Sequence, residues 1–126
     1  MTLTTGTDIV SIKRFLEFAQ NTEHPTLKKV YTQHELDYCF SKSRPESHLA
    51  VRFAGKEAII KALYSRGIQD LRYDEVEIIN REDGVPFVNL DKYKNLKVEI
   101  SLSHCEDKAL AFVIIWGDEE HAGKRV

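Results

Sequence analysis

Apolar positions follow two different periods along the chain. Between residues 11 and 64 they recur every three or four positions, and after residue 75 every second position. The first spacing is that of amphipathic helices, and the second is that of half-buried strands. Leu3 to Val10, rich in Thr, Ile and Val, predicts a short opening strand. Ser11 then stands as N-cap of a helix to about Gln20, with Ile12, Phe15, Leu16 and Ala19 on one face. Asn21 to Pro25 breaks that pattern, and Thr26 to Tyr31 predicts a helical turn. Thr32-Gln33-His34-Glu35 has the form of a capping box, opening a helix to about Lys42 that Ser43-Arg44-Pro45 ends. Ser47 to Tyr64 carries the longest helical pattern, with Leu49, Phe53, Ile60 and Leu63 beside small Ala50, Ala54 and Ala58; Gly67 supplies the stop.

Beyond Gly67 the period is two. Val76, Ile78 and Asn80 alternate with Glu77 and Ile79, Glu82-Asp83-Gly84 signals a hairpin turn, and Pro86 to Leu90 returns. Leu96 to Leu102 and Ala109 to Trp116 predict two more strands around a turn from Ser103 to Lys108. No repeat or linker divides the chain. The expectation is a single α+β domain over residues 1–117, an N-terminal strand and helices followed by an antiparallel sheet, with a polar, frayed tail over 118–126.

Composition narrows the function. A chain of 126 residues with 42% hydrophobic and 30% charged positions suits one globular domain. A core of that size is modest, so assembly with copies of itself is a natural way to bury more surface. The net charge of −2 argues against general nucleic-acid binding. Lys and Arg outnumber Asp and Glu up to residue 69, and the balance reverses between 70 and 107. A basic N-terminal half suits an anionic ligand or an acidic partner, although scattered solvated charge explains the same numbers. Cys39 and Cys105 lie far apart without metal-ligand spacing, which predicts free thiols in a reducing compartment. With no signal-peptide pattern and no apolar run near the ~20 residues of a membrane span, a cytoplasmic protein without membrane contact is expected.

Three segments carry more charge or polarity than packing requires. In Gly6-Thr7-Asp8-Ile9-Val10 a carboxylate sits inside a strand, where it needs a cation, a metal or hydrogen-bond donors, unless it merely meets water at the strand end. In Arg52-Phe53-Ala54-Gly55-Lys56-Glu57-Ala58-Ile59-Ile60-Lys61, the pairs Glu57/Lys61 and Arg52/Lys56 are each i, i+4 and share helix faces. An everyday helix ion pair explains such spacing, at ~0.3–0.5 kcal/mol. Gly55 in mid-helix, costing about 1 kcal/mol against Ala, suggests close approach of some group there. Ser101-Leu102-Ser103-His104 leaves a strand with groups able to bind phosphate. A Ser-His nucleophile pair is disfavoured, because adjacent strand residues point to opposite faces.

Together these segments resemble holo-(acyl-carrier-protein) synthase, the small bacterial type of 4′-phosphopantetheinyl transferase, in order, spacing and length from the first strand to about Trp116. The resemblance implies transfer of 4′-phosphopantetheine from coenzyme A to a serine of apo acyl carrier protein, releasing adenosine 3′,5′-bisphosphate, in the service of fatty acid biosynthesis. It implies that Asp8 and Glu57 hold Mg²⁺, with Mn²⁺ an alternative, beside the coenzyme A pyrophosphate. Mg²⁺ characteristically takes one or two carboxylates and completes its shell with water and phosphate oxygens. Val10 stands where some larger relatives carry another acid, so water is expected there. Lys61 would stabilise the departing phosphate, and Glu57, directly or through a bound water, would take the serine proton. Ser103 and His104 would contact the 3′-phosphate from a neighbouring subunit of a homotrimer with interfacial sites, and Arg52 and Lys56 are further candidate phosphate contacts. Lys13 and Arg14 on the first helix would dock the acidic carrier protein. Cys105 departs from the pattern, since a hydroxyl residue is more usual there. The rival readings are a metal-dependent hydrolase of coenzyme A or nucleotides, a non-catalytic coenzyme A-binding module, and a trimeric scaffold; only the last two leave the Asp8, Glu57 and Lys61 set without a task.

Overall fold

The long central helix organises everything else. In the computed structural model, which describes residues 2–118, it spans Pro45–Tyr64. It starts two residues earlier than its apolar pattern suggests, because Pro45 takes the first turn, where a missing N–H goes unnoticed. Before it come β1 (Leu3–Ser11), a 3₁₀ turn (Ile12–Phe15), α1 (Leu16–Ala19), α2 (Pro25–Val30) and α3 (Gln33–Phe40). The long helix is therefore α4, and β2 (Glu77–Asn80), β3 (Pro86–Asn89), β4 (Leu96–His104) and β5 (Lys108–Gly117) follow it.

The first strand pairs far away in sequence. β5 lies at the centre of an antiparallel sheet of order β1-β5-β4, and β2-β3 form a separate hairpin. The register aligns Asp8, Ala111 and Leu102 in one row and Val10, Ala109 and His104 in the next. Inward positions of β5 are Ala109, Ala111, Val113 and Ile115, all fully buried against α4. Small residues make that contact close. A Cβ on Gly6 would lie 1.9 Å from the carbonyl oxygen of Ala58, so only glycine lets β1 cross α4 there. The outward face stays open, with Leu3, Ile9, Leu110 and Phe112 all exposed.

One local expectation needs correction. The helix expected from Ser11 to Gln20 is instead a 3₁₀ turn followed by one short α-turn, and β1 runs on through Ser11. Ser11 makes no side-chain cap; its neighbour Ile12 donates its N–H to Asp107 O at 2.9 Å, which holds this backbone to the β4–β5 turn. The close approach expected at Gly55 is present and is made by packing, since a Cβ there would meet Ile78 Cδ1 at 2.6 Å. The capping box forms as read: Glu35 N donates to Thr32 Oγ1 at 3.2 Å and Thr32 N to Glu35 Oε1 at 2.8 Å. Cys39 is buried, which pushes its thiol up to about 11, and Cys105 is exposed; both are free.

Candidate active site

Alternation along β1 turns Gly6, Asp8 and Val10 toward α4, so the same crossing that needs glycine at position 6 brings Asp8 against the helix. There Lys61 Nζ donates to Asp8 Oδ1 at 3.0 Å and to Thr7 O at 3.0 Å. Asp8 Oδ2 is buried and accepts no hydrogen bond from the described residues. Lys61 thus pairs across to the strand and not with Glu57 on its own helix. Glu57 instead accepts a hydrogen bond from the Tyr73 hydroxyl, Oη to Oε1 2.9 Å. Burial, that bond, and the charges of Glu57 and then Asp8 push the Tyr73 phenol up to about 12. Both carboxylates therefore act on one phenol. Val10 is buried in the core, behind the site.

The two cations read as a phosphate-binding row lie elsewhere. Lys56 is fully buried, paired with Glu35 Oε1 at 2.8 Å and donating to Tyr73 O at 2.9 Å and Val76 O at 2.5 Å. Its three protons are spent on these acceptors, so it has none for phosphate. Arg52 is also buried, stacked on the Tyr38 ring at 4.3 Å and donating to Asn80 Oδ1. Their i, i+4 spacing does put them on one face, but α3 and the β2-β3 hairpin cover that face.

Ser103 and His104 are exposed at the end of β4, two strands away from β1 and on opposite faces of the sheet. One chain does not bring them to Asp8. His104 instead lies near enough to His48 to act on it: burial first, then the charges of Arg52, Lys42 and His104, lowers the pKa of His48, against the weaker pull of Glu46. Lys13 and Arg14 are both exposed but face different hollows. Lys13 lines a cavity of about 310 Å³ with Ser11, Arg44, Glu46 and Asp107, which Asp8 and Glu57 do not line. Arg14 lies 5.7 Å from the Phe15 and Phe53 rings, and Phe53 in turn packs on Tyr73 at 5.5 Å. Of the two, Arg14 is the one connected to the carboxylates.

The family model described as the 4′-phosphopantetheinyl transferase superfamily matches residues 4–113. This chain belongs to that superfamily.

Among curated relatives, the holo-[acyl-carrier-protein] synthase of Thermodesulfovibrio yellowstonii is 41% identical over 110 residues, covering 87% of this chain and 95% of the relative. That of Protochlamydia amoebophila is 37% identical, covering 90% and 98%. The fold agrees with the solved Helicobacter pylori holo-[acyl-carrier-protein] synthase in complex with coenzyme A, at TM-score 0.75 and 29% identity over 89% of this chain and 99% of that one. It also agrees with the ACPS–CoA complex of Chronobacterium ammoniagenes, at TM-score 0.78 and 24% identity over 94% and 99%.

The donor set of this superfamily member fits a hard divalent cation. Among the described residues Asp8 offers a buried oxygen with no donor, and Tyr73 engages one oxygen of Glu57. Among the described residues no three His, Cys, Asp or Glu side chains gather into a protein-only cage. Two carboxylates without a third ligand suit a cation that completes its shell with water and phosphate oxygens. Tyr73 was not legible as part of this arrangement, because it is uncharged and reaches Glu57 from 16 positions away. No helix of the described residues is long and apolar enough to cross a membrane.

Proposed function

We propose that this chain is a holo-(acyl-carrier-protein) synthase, moving 4′-phosphopantetheine from coenzyme A to a serine of apo acyl carrier protein and releasing adenosine 3′,5′-bisphosphate. The observation that carries the reading is the pairing of Asp8 from β1 with Lys61 from α4, beside a Tyr73 hydroxyl that donates to Glu57 and feels the charge of both carboxylates, on a chain of this superfamily. Asp8 and Glu57 would hold Mg²⁺ or Mn²⁺, which when bound supplies charge neutralisation at the coenzyme A pyrophosphate. Lys61 has three donors and uses two on Asp8 and Thr7, leaving one for a phosphate oxygen of the leaving group. The serine oxygen forms its new bond to phosphorus as the bond to adenosine bisphosphate breaks, and Glu57 accepts the serine proton. Transfer at phosphorus depends mostly on placement and electrostatics, which a rigid strand-to-helix crossing provides.

The open outer sheet face supports a homotrimer. Leu3, Ile9, Leu110 and Phe112 form an apolar surface that a second copy would cover. Such packing would let Ser103 and His104 of one copy reach a neighbour's site, where His104 binds the 3′-phosphate. Arg14, beside Phe15 and Phe53, is the stronger docking contact for the acidic carrier protein, and Lys13, facing a separate hollow, the weaker.

Intact mass spectrometry of apo acyl carrier protein, incubated with the chain, coenzyme A and Mg²⁺, tests the reading. A gain of one phosphopantetheine arm that needs both the metal and Asp8 is expected. Hydrolysis of coenzyme A without any gain would replace the transferase by a hydrolase.

A further inference from the structure

Glu57 projects from mid-helix on a side chain with three rotatable bonds, yet a cation ligand must be held in one place. Three neighbouring positions of α4 address this. Phe53 packs against the Tyr73 ring in a tilted arrangement, with centroids 5.5 Å apart and planes inclined by 32°. Lys56 grips the backbone of the same turn through the Tyr73 and Val76 carbonyls, at 2.9 and 2.5 Å. Glu57 receives the hydroxyl at 2.9 Å. Residues 53, 56 and 57 are i, i+3 and i+4, so one helix face holds the ring, the main chain and the hydroxyl of a single tyrosine.

The grip is itself anchored. Glu35 fixes Lys56 at 2.8 Å, and its second oxygen accepts Ile78 N at 2.8 Å. Nothing in this chain of contacts is solvent-borne until the phenol emerges beside Glu57: Lys56 and Glu35 are both fully buried.

We infer that Tyr73 is a positioning residue, whose hydroxyl holds Glu57 Oε1 and so presents Oε2 to the cation. The inference rests on reading Asp8 and Glu57 as cation ligands. Outer partners of metal ligands commonly contribute 10- to 100-fold to metal affinity or activity, about the size expected here.

The test uses Tyr73→Phe, which keeps the ring against Phe53 and removes only the hydroxyl. Mn²⁺ is titrated by electron paramagnetic resonance into coenzyme A-loaded protein without carrier protein, for the parent, Tyr73→Phe and Asp8→Ala. Tyr73→Phe should bind Mn²⁺ about tenfold more weakly, while kcat at saturating Mn²⁺ stays close to that of the parent. Parent-like Mn²⁺ affinity in Tyr73→Phe, with binding lost in Asp8→Ala, overturns the inference and leaves the metal reading standing. Unchanged binding in Asp8→Ala defeats the metal reading and the inference with it. A kcat that excess Mn²⁺ does not restore in Tyr73→Phe also overturns it, since the hydroxyl would then act in the chemical step.

Discussion

Helix α4 carries two lysines five residues apart, each in a close ion pair, and burial gives them opposite roles. Lys56 meets Glu35 at 2.8 Å with both side chains at 0% exposure, whereas Lys61 meets Asp8 at 3.0 Å with exposures of 55% and 14%. Burial lowers the Lys56 pKa, and the Glu35 carboxylate pulls it back up. The buried carboxylate also satisfies Thr32 N and Ile78 N, so this pair ties α3, α4 and β2 together. Among the described residues the half-wet pair leaves Asp8 Oδ2 without a donor and Lys61 with a proton to spare. A saturated pair holds the fold, and an unsaturated pair can take part in chemistry.

The comparison breaks most sharply at Lys56. Lys56→Met should cost about 3–5 kcal/mol of stability, because it strands the Glu35 charge in the core. Urea denaturation followed by circular dichroism would read this, and a loss below 1 kcal/mol would put the pair among ordinary surface bridges. Asp8→Ala comes next. It should lower turnover by at least about 100-fold, roughly 2.7 kcal/mol in the barrier. Its melting temperature should hold or rise, since an oxygen without a donor is removed.

Lys61→Met sharpens the contrast with Lys56 at a smaller scale. Turnover should fall about tenfold with coenzyme A binding weakened, yet stability should move by less than ~1 kcal/mol, as for exposed pairs. A stability loss matching that of Lys56→Met would erase the distinction. The smallest effect concerns His48, which faces Tyr38, Lys42, Glu46, Arg52 and His104. Its folded pKa lies below the usual 6.5, so the unfolded chain binds more protons below that value. Stability is therefore full above pH 6.5 and declines as pH falls through the lowered pKa. If His104 binds the 3′-phosphate, adenosine 3′,5′-bisphosphate should raise the pKa of nearby His48 in an NMR titration; an unmoved His48 would place the anion elsewhere.

Much of the molecule was legible in advance, and the errors share one cause. Local rules sufficed for the Thr32–Glu35 capping box, the Gly84 turn and the alternation of β5, because each depends on residues within a few positions of one another. The Asp8, Glu57 and Lys61 set was also recognisable, being carried by short motifs. The helix expected at Ser11 failed because Ile12 bonds to Asp107, a partner no periodicity reports. Arg52 and Lys56 were correctly placed on one helix face but wrongly exposed.

By itself, then, the sequence determined most of the elements and the α+β class and nominated Asp8, Glu57 and Lys61 for chemistry, since period and motif spacing settle which side chains share a face. Only the tertiary structure decided that Lys56 and Glu35 vanish into the core, that Lys61 crosses to Asp8, and that Tyr73 arrives beside Glu57. The physical reason is that dielectric environment and hydrogen-bond saturation depend on what covers a face, and the cover comes from residues tens of positions away.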